Sequence, residues 1–278
     1  MKLCNILVGD AVHLALYDAP GVVDLTAAGF PYTMEQVLQG QGRQELAQWQ
    51  ATGQEMVASP RMANLISHPC KILCVGLNYT THADKVRMEI PDRPVLFAKF
   101  ANALAPSGAS IELPRWERSY DYEAELVVVI GRETWDVSVD NALDHVFGYT
   151  CGNDLSCRAA QVRSSQWMLG KTMPGFAPCG PCIVTADAFD PGVSHAVRCT
   201  VNGELRQDGD TTDMIFSCAQ IISYASRYVK LDPGDLIFTG TPSGVACERP
   251  KAERTWLKPG DVVDVSIDGI GTLTSTLC

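Results

Sequence analysis

Nowhere do the 278 residues approach the run of roughly 20 apolar positions that a membrane-spanning helix needs. The first thirty residues interleave Asp10, His13 and Asp18 with short apolar stretches, so the basic start and long apolar centre of a signal peptide are missing. Positive charge is scarce. Against 32 Asp and Glu stand 22 Lys and Arg, a net charge of −10, and no basic stripe forms. A nucleic-acid backbone would be repelled, which excludes nucleic acid as an expected partner. An anionic small molecule would be repelled too, unless a metal or a few placed Arg and Lys supply local positive charge. No G-x-S-x-G elbow, phosphate-cradling loop or dinucleotide fingerprint sits in a suitable strand-to-helix context.

Apolar residues make up 46% of the chain and charged ones 19%, a composition that folds, and a chain of this length buries roughly three quarters of its unfolded surface. Eleven cysteines are scattered through strand-like and helix-like segments, as expected of reduced, buried thiols in a cytoplasmic protein. Cys179-Gly180-Pro181-Cys182 matches the redox dithiol signature. A reactive thiol of that type needs a helix N-terminus, whereas Ile183-Val184-Thr185 continue as a strand and Pro174, Pro178 and Pro181 crowd the approach, so the pair reads as structural.

Residues 1–67 combine strand-like runs (Lys2 to Val8, Val12 to Tyr17, Gly21 to Leu25) with helical patterns at Met34 to Leu38 and Gln44 to Trp49, and read as a small α+β domain. From residue 68 to 278 the pattern becomes many short apolar strands punctuated by Pro and Gly, a β-rich body. Asn202-Gly203 between two alternating runs predicts a two-residue hairpin. Met214, Ile215, Cys218, Ile221, Ile222 and Ala225 predict a helix over 213–229. The turns Leu231 to Asp235 and Leu257 to Asp261 share the pattern Leu-x-Pro-Gly-Asp, and each precedes a strand.

Chemistry concentrates in acids. In Tyr122-Glu123-Ala124-Glu125-Leu126-Val127-Val128-Val129-Ile130, period two places Glu123 and Glu125 on one face roughly 6 to 7 Å apart. Beyond Leu126 both faces turn apolar, so the strand carries two carboxylates toward the interior, which is costly without a cation. A third acid, Asp154, ends the strand-like run from Val146, and Asp-Leu-Ser has the form of a helix start. Three oxygen donors with no suitable Cys or His nearby favour a hard ion, Mg²⁺ or Mn²⁺.

The order of motifs from residue 71 onward resembles the fumarylacetoacetate hydrolase family. It runs through Val75-Gly76-Leu77-Asn78-Tyr79 with His82, Pro94 to Lys99, Asp121 to Leu126 and Gly152-Asn153-Asp154, then through Val201 to Glu204, Met214-Ile215-Phe216 and Thr239 to Pro242. The resemblance implies an α+β, β-rich fold of the mixed β-sandwich or β-roll kind, a homodimer, and Mg²⁺ or Mn²⁺ on Glu123, Glu125 and Asp154. It further implies His82 as a water-activating or proton-moving group on a lid, Lys171 and Gln161 lining the pocket, and Thr241 contacting a small 2-oxo carboxylate substrate. Arg158, four residues after Asp154, is placed to face the substrate carboxylate from the same helix. One departure stands out: hydrolysing members usually carry Glu three residues after the lid His, and this chain has Lys85. The expected reaction is hydrolytic C–C cleavage of a 2,4-dioxo acid, with enolate charge stabilised by the cation. Decarboxylation of oxaloacetate or a related β-keto acid, which needs no attacking water, is the alternative that Lys85 favours. A catalytically silent metal-binding member is the third.

Overall fold

The computed structural model describes residues 1–19, 21–49, 56–80 and 91–278. His82, Asp84, Lys85, Met88 and Glu89 lie outside them.

Two sheets dominate. The larger is mixed, and its centre is the strand Ala124–Ile130, all seven residues of which are buried. That strand pairs antiparallel with Val146–Asn153 on one side and with Leu236–Phe238 on the other. Ile72–Gly76 continues the sheet parallel to Leu236–Phe238, and Val95–Lys99 closes that edge. In the other direction come Ala177–Thr185 and then the strands Lys2–Val8, Ala11–Asp18, Gly21–Asp24 and Met56–Ala58, so the N-terminal segment extends the same sheet. Among the described residues the second sheet has five strands and contains Ala196–Val201, Glu204–Asp210, Val262–Ile267 and Gly271–Leu277. Its inner residues Val197, Cys199, Val265 and Leu273 belong to the same core as Val127, Cys151 and Ile183. The architecture is α+β and β-rich, with short helices at the rim.

Turn chemistry accounts for much of the connectivity. Asn202 and Gly203 adopt φ of 53° and 79°, as a two-residue hairpin loop requires, and join Ala196–Val201 to Glu204–Asp210. In both Leu-x-Pro-Gly-Asp turns the Asp caps its own loop: Asp235 accepts from the Asp232 N–H at 2.7 Å, and Asp261 from the Lys258 N–H at 2.9 Å. The thiols of Cys179 and Cys182 are buried within Ala177–Thr185, form no disulfide, and are pushed up to about 12 by burial, which suits packing and opposes thiolate chemistry.

Two expectations are corrected. The helix predicted over 213–229 spans Cys218–Ser226. Asn78 intervenes: its Oδ1 accepts from the Phe216 N–H at 2.8 Å and its amide donates to the Phe216 carbonyl at 3.0 Å, which withholds those groups from a helix. Ser217 then restarts the chain as a capping box with Gln220. Nor does a helix begin at Asp154. A bridge of Ser156–Cys157 with Tyr120–Asp121 comes first, and the helix is Arg158–Gln161, so Asp154 and Arg158 share no helix.

Candidate metal centre

Antiparallel pairing assembles the acids. Ala124 lies opposite Asn153 and Glu125 opposite Gly152, so Glu123 and Asp154 meet at the same end of the strand pair. The Asp154 N–H donates to the Glu123 carbonyl at 2.9 Å, and the Asn153 side chain accepts from the Glu123 N–H at 3.0 Å. Both bonds fix backbone that would otherwise leave the sheet there. One carboxylate oxygen from each of Glu123, Glu125 and Asp154 lies within 4.8 Å of the others, and all three side chains are buried.

Cations surround two of the acids. Lys171, from the helix Met168–Lys171, donates to Glu123 Oε2 at 2.6 Å and to Asp154 Oδ2 at 2.8 Å. Arg158 spreads its guanidinium over Asp121 Oδ2 (2.9 Å), Gln161 Oε1 (3.0 Å) and Glu123 Oε1 (2.5 Å). Lys99 lies 2.5 Å from Asp154 Oδ1 and also donates to the carbonyls of Leu155, Lys171 and Phe176. Burial works against the charges of Lys171 and Arg158, yet Asp154 and Glu123 beside Lys171, and Glu123 and Asp121 beside Arg158, hold both above their ordinary values.

Glu125 differs. Its Oε2 accepts from the Gly240 N–H at 2.7 Å, and among the described residues no Lys or Arg pairs with it. Burial first, then the neighbouring charges of Asp154 and Glu123, push its carboxyl well above the usual carboxylate range. The Gly240 backbone that supplies the N–H has φ of 96°, and a Cβ there would stand 2.8 Å from Asn78 Cβ, so glycine is required.

A divalent cation fits this donor set. Among the described residues, Lys99, Arg158 and Lys171 pair with Asp121, Glu123 and Asp154 and leave Glu125 as the acid that a bound cation would ionise. The donors are all hard oxygens, as Mg²⁺ or Mn²⁺ requires. The acids sit in the wall of a cleft of about 520 Å³, its open mouth included. Arg158, Gln161, Lys171 and Thr241 line it as well, together with Phe97 and Trp167. The hydroxyl of Thr241 is committed to the frame, donating to the Ala124 carbonyl at 2.9 Å and accepting from Gln207 at 2.8 Å.

Sequence reasoning assigned no role to Lys99 or Asp121. Asp121 accepts the N–H groups of Tyr122, Ala246 and Cys247 besides Arg158, and so ties the guanidinium to two backbone segments. The available signal was a Lys closing an apolar strand and an Asp inside the acidic run.

Comparison with known proteins follows the same geometry. The family described as fumarylacetoacetate (FAA) hydrolase, C-terminal, matches residues 71–278. The fumarylacetoacetate hydrolase domain-containing protein 2 homolog of Dictyostelium discoideum is 44% identical over 75% of this chain and 72% of its own. The mitochondrial oxaloacetate tautomerase of Xenopus laevis is 35% identical over 95% of this chain and 85% of its own. Among solved structures, a fumarylacetoacetate hydrolase from psychrophilic Exiguobacterium antarcticum superimposes with a TM-score of 0.86 at 32% identity, over 100% of this chain and 99% of that one. A maleylpyruvate hydrolase from Sphingobium sp. SYK-6, in complex with manganese(II) and pyruvate, gives 0.82 at 26% identity, over 100% and 98%. The sheet order, the buried acidic triad and these matches converge, and the chain belongs to the fumarylacetoacetate hydrolase family, whose members are enzymes.

Proposed function

We propose that the protein is a divalent-metal enzyme that interconverts the keto and enol forms of a small 2-oxo acid of the oxaloacetate type. The observation that carries this reading is the buried triad itself: one carboxylate oxygen from each of Glu123, Glu125 and Asp154 lies within 4.8 Å of the others. A dication there would add positive charge to the cluster, and a protein of net charge −10 needs local positive charge to draw in an anion. Once bound, the cation supplies fixed positive charge opposite the carboxylate and 2-oxo oxygen of the substrate, where charge develops as the neighbouring carbon loses its proton.

The chain's own groups do the rest. Lys171, held protonated by Glu123 and Asp154, places a second positive charge in the cleft. Arg158, itself held by Gln161, braces Glu123, and the apolar faces of Val75, Leu77, Phe97 and Trp167 exclude water and strengthen each of these interactions. Thr241 orients the backbone of Ala124 between the two Glu ligands. His82 is assigned the proton transfer at carbon, on the family resemblance. Lys85 in place of Glu removes the usual partner for activating water, and with the tautomerase relative this favours proton exchange over hydrolysis.

Hydrolytic cleavage of a 2,4-dioxo acid is the second reading, favoured by the solved relative that holds manganese and pyruvate. We further propose a homodimer, from the family resemblance, and a cytoplasmic location, from the reduced cysteines. Several relatives carry the word mitochondrial in their names, and among the described residues no helix is long and apolar enough to cross a membrane.

The test uses purified protein with Mn²⁺, following enol-to-keto conversion of oxaloacetate, release of CO₂ from it, and cleavage of acetylpyruvate. The expected outcome is metal-dependent conversion that chelator abolishes and Glu123→Ala does not support. Cleavage of acetylpyruvate with no acceleration of the keto–enol exchange would replace this reading with the hydrolytic one.

A further inference from the structure

The cleft that holds the acids is also walled by two half-buried aromatic rings. Phe97 and Trp167 meet edge to face, their centroids 5.5 Å apart and their planes at 71°. The Phe97 ring also lies 5.3 Å from the Lys171 ammonium, so the wall stands beside the charged cluster. The indole rests on Gly76, the last residue of Ile72–Gly76. A Cβ on Gly76 would stand 2.6 Å from Trp167 Cζ3 and 3.1 Å from Cη2. The backbone of Gly76 lies outside the left-handed region, so the constraint is space alone: glycine is what lets the indole lie back against the sheet.

From this geometry we infer that Trp167, seated on Gly76 and braced by Phe97, sets the size of the group that a 2-oxo acid carries beyond its 2-oxo carbon. The inference rests on the reading of the acids as the anchor for the 2-oxo carboxylate end. A ligand anchored there has its distal group against the Phe97–Trp167 wall, since those rings line the same cleft. The wall offers the distal group apolar contact, so its discrimination is one of volume. Adding a methyl at Gly76 drives the indole into the cleft, and shortening Trp167 removes part of the wall. These are opposite changes from two residues on different elements, and neither residue touches the acids through any hydrogen bond.

The experiment measures binding of oxalate, oxamate and N-ethyl, N-butyl and N-phenyl oxamate to the Mn²⁺-loaded full chain by titration calorimetry, for the parent, Trp167→Leu, Trp167→Phe and Gly76→Ala. Thermal melts of each variant exclude an unfolded sample, and the readout is the ratio of affinities between large and small ligands, which the folded fraction does not move. The parent should bind the N-phenyl compound at least tenfold more weakly than oxamate. Trp167→Leu should close that gap, Trp167→Phe should close it in part, and Gly76→Ala should widen it. Oxalate bound by the parent, with the size ratio unchanged within twofold across all three variants, overturns the inference alone. Failure of the parent to bind oxalate in the presence of Mn²⁺ overturns the 2-oxo acid reading and this inference with it.

Discussion

Glu125 is 2% exposed, and burial with two neighbouring carboxylates raises its proton affinity. The sign of its effect on stability follows from linkage. Below the ordinary value near 4.5 both folded and unfolded chains hold the proton. Between that value and the raised native one, the native state keeps a proton that the unfolded state has released, so stability falls as pH rises. The metal-free parent should therefore lose stability from about pH 4.5 upward, and Glu125→Gln should remove that part of the slope. At pH 7 the metal-free variant should be the more stable of the two. Mn²⁺ at a hundredfold excess over its Kd should add about 2.7 kcal/mol to the parent and nothing to the variant. Urea unfolding with chelator and with Mn²⁺ reads both effects, and an unchanged metal increment in Glu125→Gln would remove Glu125 from the ligand set. Glu123 and Glu125 were legible because burial of carboxylates is written in the apolar run that follows them, and Asp154 because it ends the strand-like run from Val146. Lys99 and Trp167 were not, since what makes them matter is the chain that packs on them: three carbonyls from residues 155, 171 and 176 around the ammonium, and an absent Cβ at Gly76 beneath the indole.

Elements were legible where local chemistry decides them and misread where a distant side chain does. The Asn202-Gly203 hairpin and the two Asp-capped turns carry their own instructions. The helix Cys218–Ser226 was drawn too long because Met214 and Ile215 fit its apolar period, while Asn78, 138 residues from Phe216 in sequence, takes the Ile215 N–H and both backbone groups of Phe216 for itself. That competition makes Ser217 the true start. Its side chain accepts from the Gln220 N–H at 3.3 Å, and Gln220 returns the bond to the Ser217 N–H at 2.9 Å. Ser217→Ala should cost about 1 kcal/mol, a fall in Tm of roughly 2–4 °C for a chain of this size. Scanning calorimetry measures it, and Mn²⁺ affinity should stay constant because Ser217 bonds to nothing in the cleft. A Tm equal to that of the parent would mean that tertiary packing of Ile221, Ile222 and Ala225, all fully buried, holds the helix without its cap.

Across the whole molecule, the composition break near residue 67 marks where strand density rises, but periodicity says nothing about which strands share a sheet. Lys2–Val8 pairs with Ala177–Thr185 through Lys2–Val184 and Leu3–Ile183, and so stands next to the central strands of the body. Further ties cross the break: Lys2 Nζ donates to the Ile270 carbonyl at 3.0 Å, Arg43 Nη2 donates to the Gly131 carbonyl at 2.9 Å, and the Arg43 guanidinium lies 5.2 Å from the centre of the Phe147 ring. Leu3, Ile6, Leu14, Val22 and Leu25 are buried in the core common to both parts. At about 2 kcal/mol each, five such side chains are worth roughly 10 kcal/mol, comparable with the entire stability of an ordinary domain. A chain of residues 68–278 would expose the edge of Ala177–Thr185 and the apolar surface that these side chains cover, and an uncovered edge of that kind invites pairing between molecules. The truncated chain should therefore aggregate, or show a broad, non-cooperative thermal transition, where the full chain unfolds in one step. A sharp transition near that of the full chain, with Mn²⁺ binding intact, would instead make residues 1–67 a separate domain that merely leans on the sheet.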